Sequence, residues 1–133
     1  MPAKTRFLNP ATLTKPAAYS QVVEVTTPGR MVFISGQTAL DRDGKLVPGD
    51  FSAQAVQVFE NLKAALAAVG AGFEHVVKLN SYILQPEQQA ILREVRQRYI
   101  NMAAPPASTS FQAAGFPRPG VMLEIEAIAV LPD

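Results

Sequence analysis

The sequence has no cysteine, no tryptophan and only one histidine, His75. The absence of cysteine excludes disulfide bonds, thiolate nucleophiles and cysteine-based zinc sites from this chain. A lone histidine also gives little support for a Ser–His nucleophilic pair. His75 is at the start of a predicted strand, a position more typical of a structural or surface residue. The sequence therefore implies neither a metal nor a cofactor.

The chain also has little net charge and no long apolar run. The 12 lysines and arginines nearly balance the 11 aspartates and glutamates, for a formal net charge of +1. The basic residues are scattered, unlike the basic patch of a nucleic-acid-binding protein, and we interpret Arg93, Arg96 and Arg98 as a solvated helix face. No apolar run reaches the roughly 18 residues of a membrane span, and no signal-peptide core is present. We expect a soluble cytoplasmic protein without a membrane partner, and the charge disfavours nucleic acid.

The 133 residues, 48% of them hydrophobic, suit one domain spanning residues 1–133. Two amphipathic helices are predicted, one from the N-cap Asp50 to Gly70 and one from Pro86 to Pro105. Strands are predicted near 5–8, 21–26, 30–37, 75–84, 107–112 and 121–130, with turns at 27–29 and 41–44. This order predicts an α+β fold with one mixed six-stranded sheet and both helices on one face.

The last predicted strand carries two carboxylates among apolar residues. Glu124 and Glu126 share a face with Met122, Ile128 and Val130, because side chains alternate along a strand. An unpartnered buried carboxylate costs several kcal/mol. Each glutamate must therefore be paired or lie in a cleft that water or a ligand enters, and the residues alone leave both alternatives open.

Two helices cover only one face of the predicted sheet, yet residues 31–34 and the last strand are apolar on both faces. Large exposed apolar patches are rare on soluble monomers. We therefore expect a homo-oligomer in which sheets pack against sheets, and a cleft holding Glu124 at or near a boundary between subunits.

Several short strings occur together along the chain: Tyr19-Ser20-Gln21, Ile34-Ser35-Gly36-Gln37, Gly49-Asp50-Phe51, Gln54-Ala55, Asn61-Leu62 and Leu123-Glu124-Ile125-Glu126-Ala127. Their combination resembles the Rid family, also called YjgF/YER057c/UK114, many of whose members hydrolyse reactive enamines and imines to keto compounds. The resemblance implies a chorismate-mutase-like subunit, a homotrimer with small-molecule clefts between subunits, and no cofactor.

The resemblance also implies roles for individual residues. Glu124 matches the carboxylate that positions or activates the hydrolytic water, and Glu126 is expected to pair structurally. The implied substrate-binding residues are Tyr19, Ser35, Gly36 and Gln37. On the residues alone, packing of Tyr19 and an ordinary turn at the end of the strand remain alternatives.

The family's substrate-binding arginine follows a Pro-Ala pair, but here Pro106-Ala107 is followed by Ser108, and Ser110 stands where a cysteine is usual. An asparagine of the second helix is likewise replaced by Ile91. A charged hydrogen bond contributes about 1.5–3 kcal/mol, so its loss weakens binding of a small anionic imine by about one to two orders of magnitude. Ser108 and Ser110 would form a neutral, hydroxyl-lined pocket or an ordinary edge strand. Arg118 is either a substitute cation or an exposed loop residue.

The leading hypothesis is thus an enamine/imine deaminase-like hydrolase acting on a substrate other than the simple 2-imino acids. The alternative is a non-catalytic trimer that binds a small molecule or a protein. A role like that of an endoribonuclease or translation inhibitor is a weaker alternative, because the near-neutral charge disfavours RNA binding.

Overall fold

The computed structural model describes residues 4–16, 18–26 and 29–132. Within them the chain forms six strands and two α-helices: β1 (Lys4–Leu8), β2 (Val22–Thr26), β3 (Arg30–Gln37), α1 (Phe51–Ala67), β4 (Val76–Ile83), α2 (Gln88–Arg96), β5 (Ala107–Gln112) and β6 (Leu123–Leu131). The predicted order is confirmed. α2 is shorter than expected, and the chain after it continues as turns, with Tyr99 N bonded to Arg96 O at 3.0 Å.

The strands form two hydrogen-bonded sheets among the described residues. β1 and β2 make an antiparallel pair, and the larger sheet has the order β3-β6-β4-β5. β4 and β5 are parallel, whereas β6 is antiparallel to both β3 and β4. The sheet is mixed as expected, but the expected single six-stranded sheet is divided in two. The turn predicted at 27–29 lies mostly outside the described residues.

Both helices cover one face of the larger sheet, as predicted. α1 begins after Asp50, whose Oδ1 accepts a hydrogen bond from Ala53 N at 3.0 Å. Its apolar stripe is buried in one core with the inward side chains of β4 and β6. Leu92 and Val95 bring α2 into the same core. Neither helix of the described chain is long and apolar enough to cross a membrane.

The other face of the larger sheet is not covered by any described helix. The register places Phe33 opposite Ile128 and Tyr82 opposite Glu124, all on this face. Met31 is 56%, Phe33 71% and Phe111 58% exposed. Large aromatic side chains are seldom left this open to water, so the apolar face expected from the sequence is present in the fold.

Candidate active site

Glu124 lies beside a β-bulge in β3. Ile34 is paired with Ala127 and Gln37 with Ile125, so β3 has one residue more than β6 between these pairs. The bulge brings Gly36 against the Glu124 side chain. A Cβ atom on Gly36 would lie 2.6 Å from Glu124 Cδ and 2.8 Å from its Oε1. Only glycine leaves room for this carboxylate.

The structure therefore brings Ser35, Gly36 and Gln37 together with Glu124. Ser35 is exposed, and its carbonyl oxygen accepts a hydrogen bond from Gln37 Nε2 at 3.1 Å. Glu124 is half-buried and makes no hydrogen bond or ion pair with another described side chain. A half-buried carboxylate without a partner remains able to hold water or accept a proton.

Gln54 of α1 fixes the chain immediately before Glu124. Its side chain is 2% exposed, and its Nε2 donates a hydrogen bond to Gly120 O at 2.8 Å. Its Oε1 accepts a hydrogen bond from Met122 N at 3.0 Å. Both ends of a buried amide are thus satisfied by the loop that enters β6, which sets the position of the strand that carries Glu124.

Glu126, on the same face as Glu124, has a partner within the chain. Its Oε1 accepts a hydrogen bond from the Tyr82 hydroxyl at 2.9 Å. This hydrogen bond, together with burial and the negative charges of Glu126 and Glu124, raises the pKa of Tyr82. The Tyr82 ring also stacks on Phe111, with the ring planes 18° apart. The two carboxylates of β6 consequently have different surroundings.

Ser108 and Ser110 lie on the helix-covered face of the sheet, opposite to Glu124. Their neighbours on parallel β4 are buried under the helices, whereas Thr109 between them accepts a hydrogen bond from Lys78 Nζ at 2.8 Å on the uncovered face. Alternation of side chains along β5 produces this separation. Within one subunit, the two serines and Glu124 therefore do not form one site.

The two serines instead line a cavity of about 380 Å³ between α2, β5 and the segment before β2. We call it the helix-side cavity. Its lining residues are Lys15, Pro16, Ala18, Tyr19, Gln89, Arg93, Arg96, Ser108 and Ser110. It contains the expected hydroxyl groups. The expectation of a neutral pocket is wrong, because the described lining includes two arginines and a lysine but no carboxylate.

Ser20 holds Tyr19 at the edge of this cavity. Ser20 is 2% exposed; its N donates a hydrogen bond to Pro106 O at 3.2 Å, and its Oγ donates one to Pro105 O at 2.6 Å. The segment therefore runs along β5 with an isolated parallel bridge to Ala107. This contact fixes the half-buried Tyr19 among the same lining residues as Ser108.

The interpretation of Arg93, Arg96 and Arg98 as a solvated helix face is wrong for Arg96, which is only 5% exposed. Arg93 and Arg98 are exposed, and Arg98 Nη2 pairs with Glu94 Oε1 at 3.0 Å. Arg96 lies four residues after buried Leu92 and therefore on the inward side of the helix.

The guanidinium of Arg96 has few hydrogen-bond partners among the described residues. Its Nη1 donates to Ser108 Oγ at the long distance of 3.5 Å, and its buried Nε has no hydrogen-bond partner among the described residues. Burial, followed by the like charge of Arg93, lowers the pKa of Arg96. Gln89, Arg93 and Arg96 follow the i, i+4, i+7 spacing of one helix face, but this spacing alone does not distinguish a cavity lining from a solvated face.

Arg118 is exposed in the loop before β6 and does not line the helix-side cavity. Its carbonyl oxygen accepts a hydrogen bond from Val121 N at 3.4 Å. Its role as a substitute cation stays a prediction that no contact within one subunit supports.

Known proteins resemble this chain over most of its length. Residues 11–131 match the family model described as Endoribonuclease L-PSP. The chain is 46% identical over 113 residues to Protein DfrA of Myxococcus xanthus, covering 84% of each chain. It is 39% identical over 124 residues to the 2-iminobutanoate/2-iminopropanoate deaminase of Mus musculus, covering 90% of this chain and 88% of the mouse protein. The crystal structure of YyfB from Yersinia pestis, described as a member of the conserved Rid protein family, superposes with a TM-score of 0.85 at 34% identity, over 96% of this chain and 98% of that one.

Proposed function

This chain belongs to the Rid family, and on that premise we propose that it is an enamine/imine deaminase-like hydrolase that converts reactive imines to keto compounds. The observation that carries the proposal is the half-buried Glu124 carboxylate, held against Gly36 and left without a side-chain partner in the described chain. This arrangement suits a group that must bind water and exchange protons during the reaction.

The proposed chemistry uses Glu124 as a general base. The carboxylate takes a proton from a bound water as the water oxygen attacks the imine carbon, and it passes that proton to the imine nitrogen. The resulting carbinolamine loses ammonia and leaves a ketone, so one water is consumed for each ammonia released. An enamine enters the same route after tautomerising to its imine. Backbone N–H groups at the Ser35–Gly36 bulge are suited to bind the carbinolamine oxygen as it loses its proton and becomes the ketone oxygen.

We further propose that each site combines two subunits of a homotrimer. β3 and β5 are the two outer strands of the larger sheet. A closed ring in which the β3 edge of one copy meets the β5 edge of the next would bring Glu124 near the helix-side cavity of its neighbour. The exposure of the Met31, Phe33 and Phe111 side chains, which a closed ring would bury, supports such an assembly. The cytoplasmic location stays a prediction.

The proposed substrate differs from the simple 2-imino acids. By resemblance, Ser108 occupies the position of the arginine that binds the substrate carboxylate in the family. The helix-side cavity of about 380 Å³ is in the size range of pockets for ligands well above three or four carbons. The serine also favours a second candidate function, a non-catalytic trimer that binds a small molecule.

Imine hydrolysis by the purified protein tests the proposal. Imines are generated in situ across a panel from 2-iminopropanoate to longer and uncharged compounds, and ketone formation is compared with buffer. Glu124→Gln is expected to lower the rate about 100- to 10,000-fold. Glu126→Gln is the matched control, because that carboxylate is already bonded to Tyr82.

Two results would count against this assignment. A wild-type rate equal to buffer on every imine would favour the non-catalytic binding trimer. Full activity of Glu124→Gln would remove the role given to that carboxylate. RNA cleavage measured on the same wild-type and mutant preparations tests the endoribonuclease-like alternative.

A further inference from the structure

The helix-side cavity carries positive charge without a compensating carboxylate. Lys15, Arg93 and Arg96 line it, and none of the described residues that line it is acidic. Arg93 and Arg96 are three residues apart on α2, so they lie on one side of the helix. Two like charges this close raise the free energy of the empty cavity. An anion bound between them would lower it.

Arg96 is a buried charge with few hydrogen-bond partners among the described residues. Its side chain is 5% exposed, its Nε is unpartnered among the described residues, and its contact to Ser108 Oγ is long. A guanidinium stays charged even when burial lowers its pKa. A buried charge without a partner is strongly unfavourable, and proteins keep one mainly where a ligand or partner compensates it.

We propose that the helix-side cavity binds the carboxylate of the imine substrate through the guanidinium of Arg96, a role that rests on the proposed hydrolase function. A guanidinium offers two parallel N–H donors that match the two oxygens of a carboxylate. Arg93 adds a second positive charge, and the hydroxyl groups of Tyr19, Ser108 and Ser110 add neutral donors.

The small side chain of Ser108 makes room for this arrangement. Arg96 Nη1 lies 3.5 Å from Ser108 Oγ, so the cation is close to the β5 backbone and is supplied by α2. An arginine at position 108 would put a second guanidinium into the same space. With a volume of about 380 Å³, the cavity has room beyond the carboxylate for a longer side chain, so it favours larger imino acids over the smallest ones.

Equilibrium binding tests this assignment without requiring turnover. The probes are 2-oxohexanoate, the uncharged 2-hexanone and inorganic phosphate, each titrated into the intact oligomer by NMR. Arg96→Met keeps the apolar bulk of the side chain and removes the charge. It is expected to weaken 2-oxohexanoate binding about 10- to 100-fold and to leave 2-hexanone unchanged. The control Arg98→Met removes an exposed arginine two residues after Arg96, in the turn that follows the helix, and should change neither.

A charge exchange separates ligand binding from a structural role. The double variant Arg96→Ser with Ser108→Arg removes the guanidinium from α2 and places one on β5. Its binding of 2-oxohexanoate should recover at least tenfold over Arg96→Ser alone. Wild-type affinity in Arg96→Met, or no recovery in the double variant, would overturn the assignment. Tighter binding of phosphate than of 2-oxohexanoate would also overturn it.

The same variants distinguish this inference from the proposed function. If 2-oxohexanoate binding requires Arg96 but no imine is hydrolysed, the hydrolase proposal fails and the carboxylate site stands. If Arg96→Met hydrolyses anionic imines at the wild-type kcat/KM, the carboxylate site fails and the hydrolase proposal stands.

Discussion

Replacing Gly36 by alanine tests whether the position of Glu124 matters for activity. The new Cβ would lie 2.6 Å from Glu124 Cδ, whereas ordinary van der Waals contact begins at 3.4 Å. The carboxyl group must therefore move by about 1 Å. Since a displacement of this size costs about 100-fold in a positioned reaction, we expect kcat to fall by about that factor in Gly36→Ala.

The same substitution should have little effect on stability. The colliding atoms belong to the end of a flexible, half-buried side chain that can turn into solvent, so the free energy of unfolding should fall by less than about 1 kcal/mol. Rates are measured by ketone formation, and stability by urea unfolding. Gly115→Ala is the matched control, because a Cβ there meets nothing within 4 Å.

Two outcomes would refute this reasoning. Wild-type kcat in Gly36→Ala would mean that the carboxylate position does not determine the rate. An equal loss of kcat in Gly115→Ala would mean that added bulk in any loop or bulge lowers activity, whether or not it contacts Glu124.

Three further substitutions test the buried Gln54 amide, the Tyr82–Glu126 hydrogen bond and the uncovered face of the sheet. Gln54→Leu removes both side-chain hydrogen bonds to the loop before β6 and should lower the free energy of unfolding by about 2–4 kcal/mol in urea, whereas exposed Gln97→Leu should change it little. Glu126→Gln should shift the ionisation of Tyr82 to lower pH, measured at 295 nm with the other tyrosines changed to phenylalanine. Because the folded-state pKa of Tyr82 is raised, the stabilisation from its neutral hydroxyl is present below about pH 10 and is lost as pH rises through the folded-state pKa. Phe33→Asp should raise the dissociation constant of the oligomer at least about 100-fold in sedimentation, since it places an unpaired carboxylate on the uncovered face.

Most of the fold could be predicted because its signals are local. Asp50 marks the start of α1, and the apolar run of residues 121–130, interrupted only by two glutamates, marks β6. The division into two sheets could not be predicted, because strand pairing depends on contacts between distant residues. The end of α2 at Arg96 also differs from the prediction, since Tyr99 continues the apolar stripe but lies in a turn after the helix.

The candidate site was predictable only in part. Glu124 is identifiable as a carboxylate on an otherwise apolar strand. Arg96 is not, because a charged residue next to an apolar stripe is usually solvated, and only the position of β5 beneath α2 makes it buried. Two residues from the short strings that resemble the Rid family have structural contacts. Gln54 donates a hydrogen bond to the loop before β6. Asn61 Nδ2 donates hydrogen bonds to Thr38 O and Leu40 O at 2.9 Å.

Complementation between two inactive variants tests the shared site most directly. Glu124→Gln lacks the proposed base, and Ser108→Phe fills the helix-side cavity while leaving Glu124 in place. If each site combines Glu124 of one subunit with the cavity of the next, randomly mixed trimers should contain about one quarter intact sites. The account predicts that trimers assembled from an equal mixture recover about a quarter of the wild-type rate of imine hydrolysis. A mixture no more active than either variant alone, in trimers shown by native mass spectrometry to contain both chains, would contradict it.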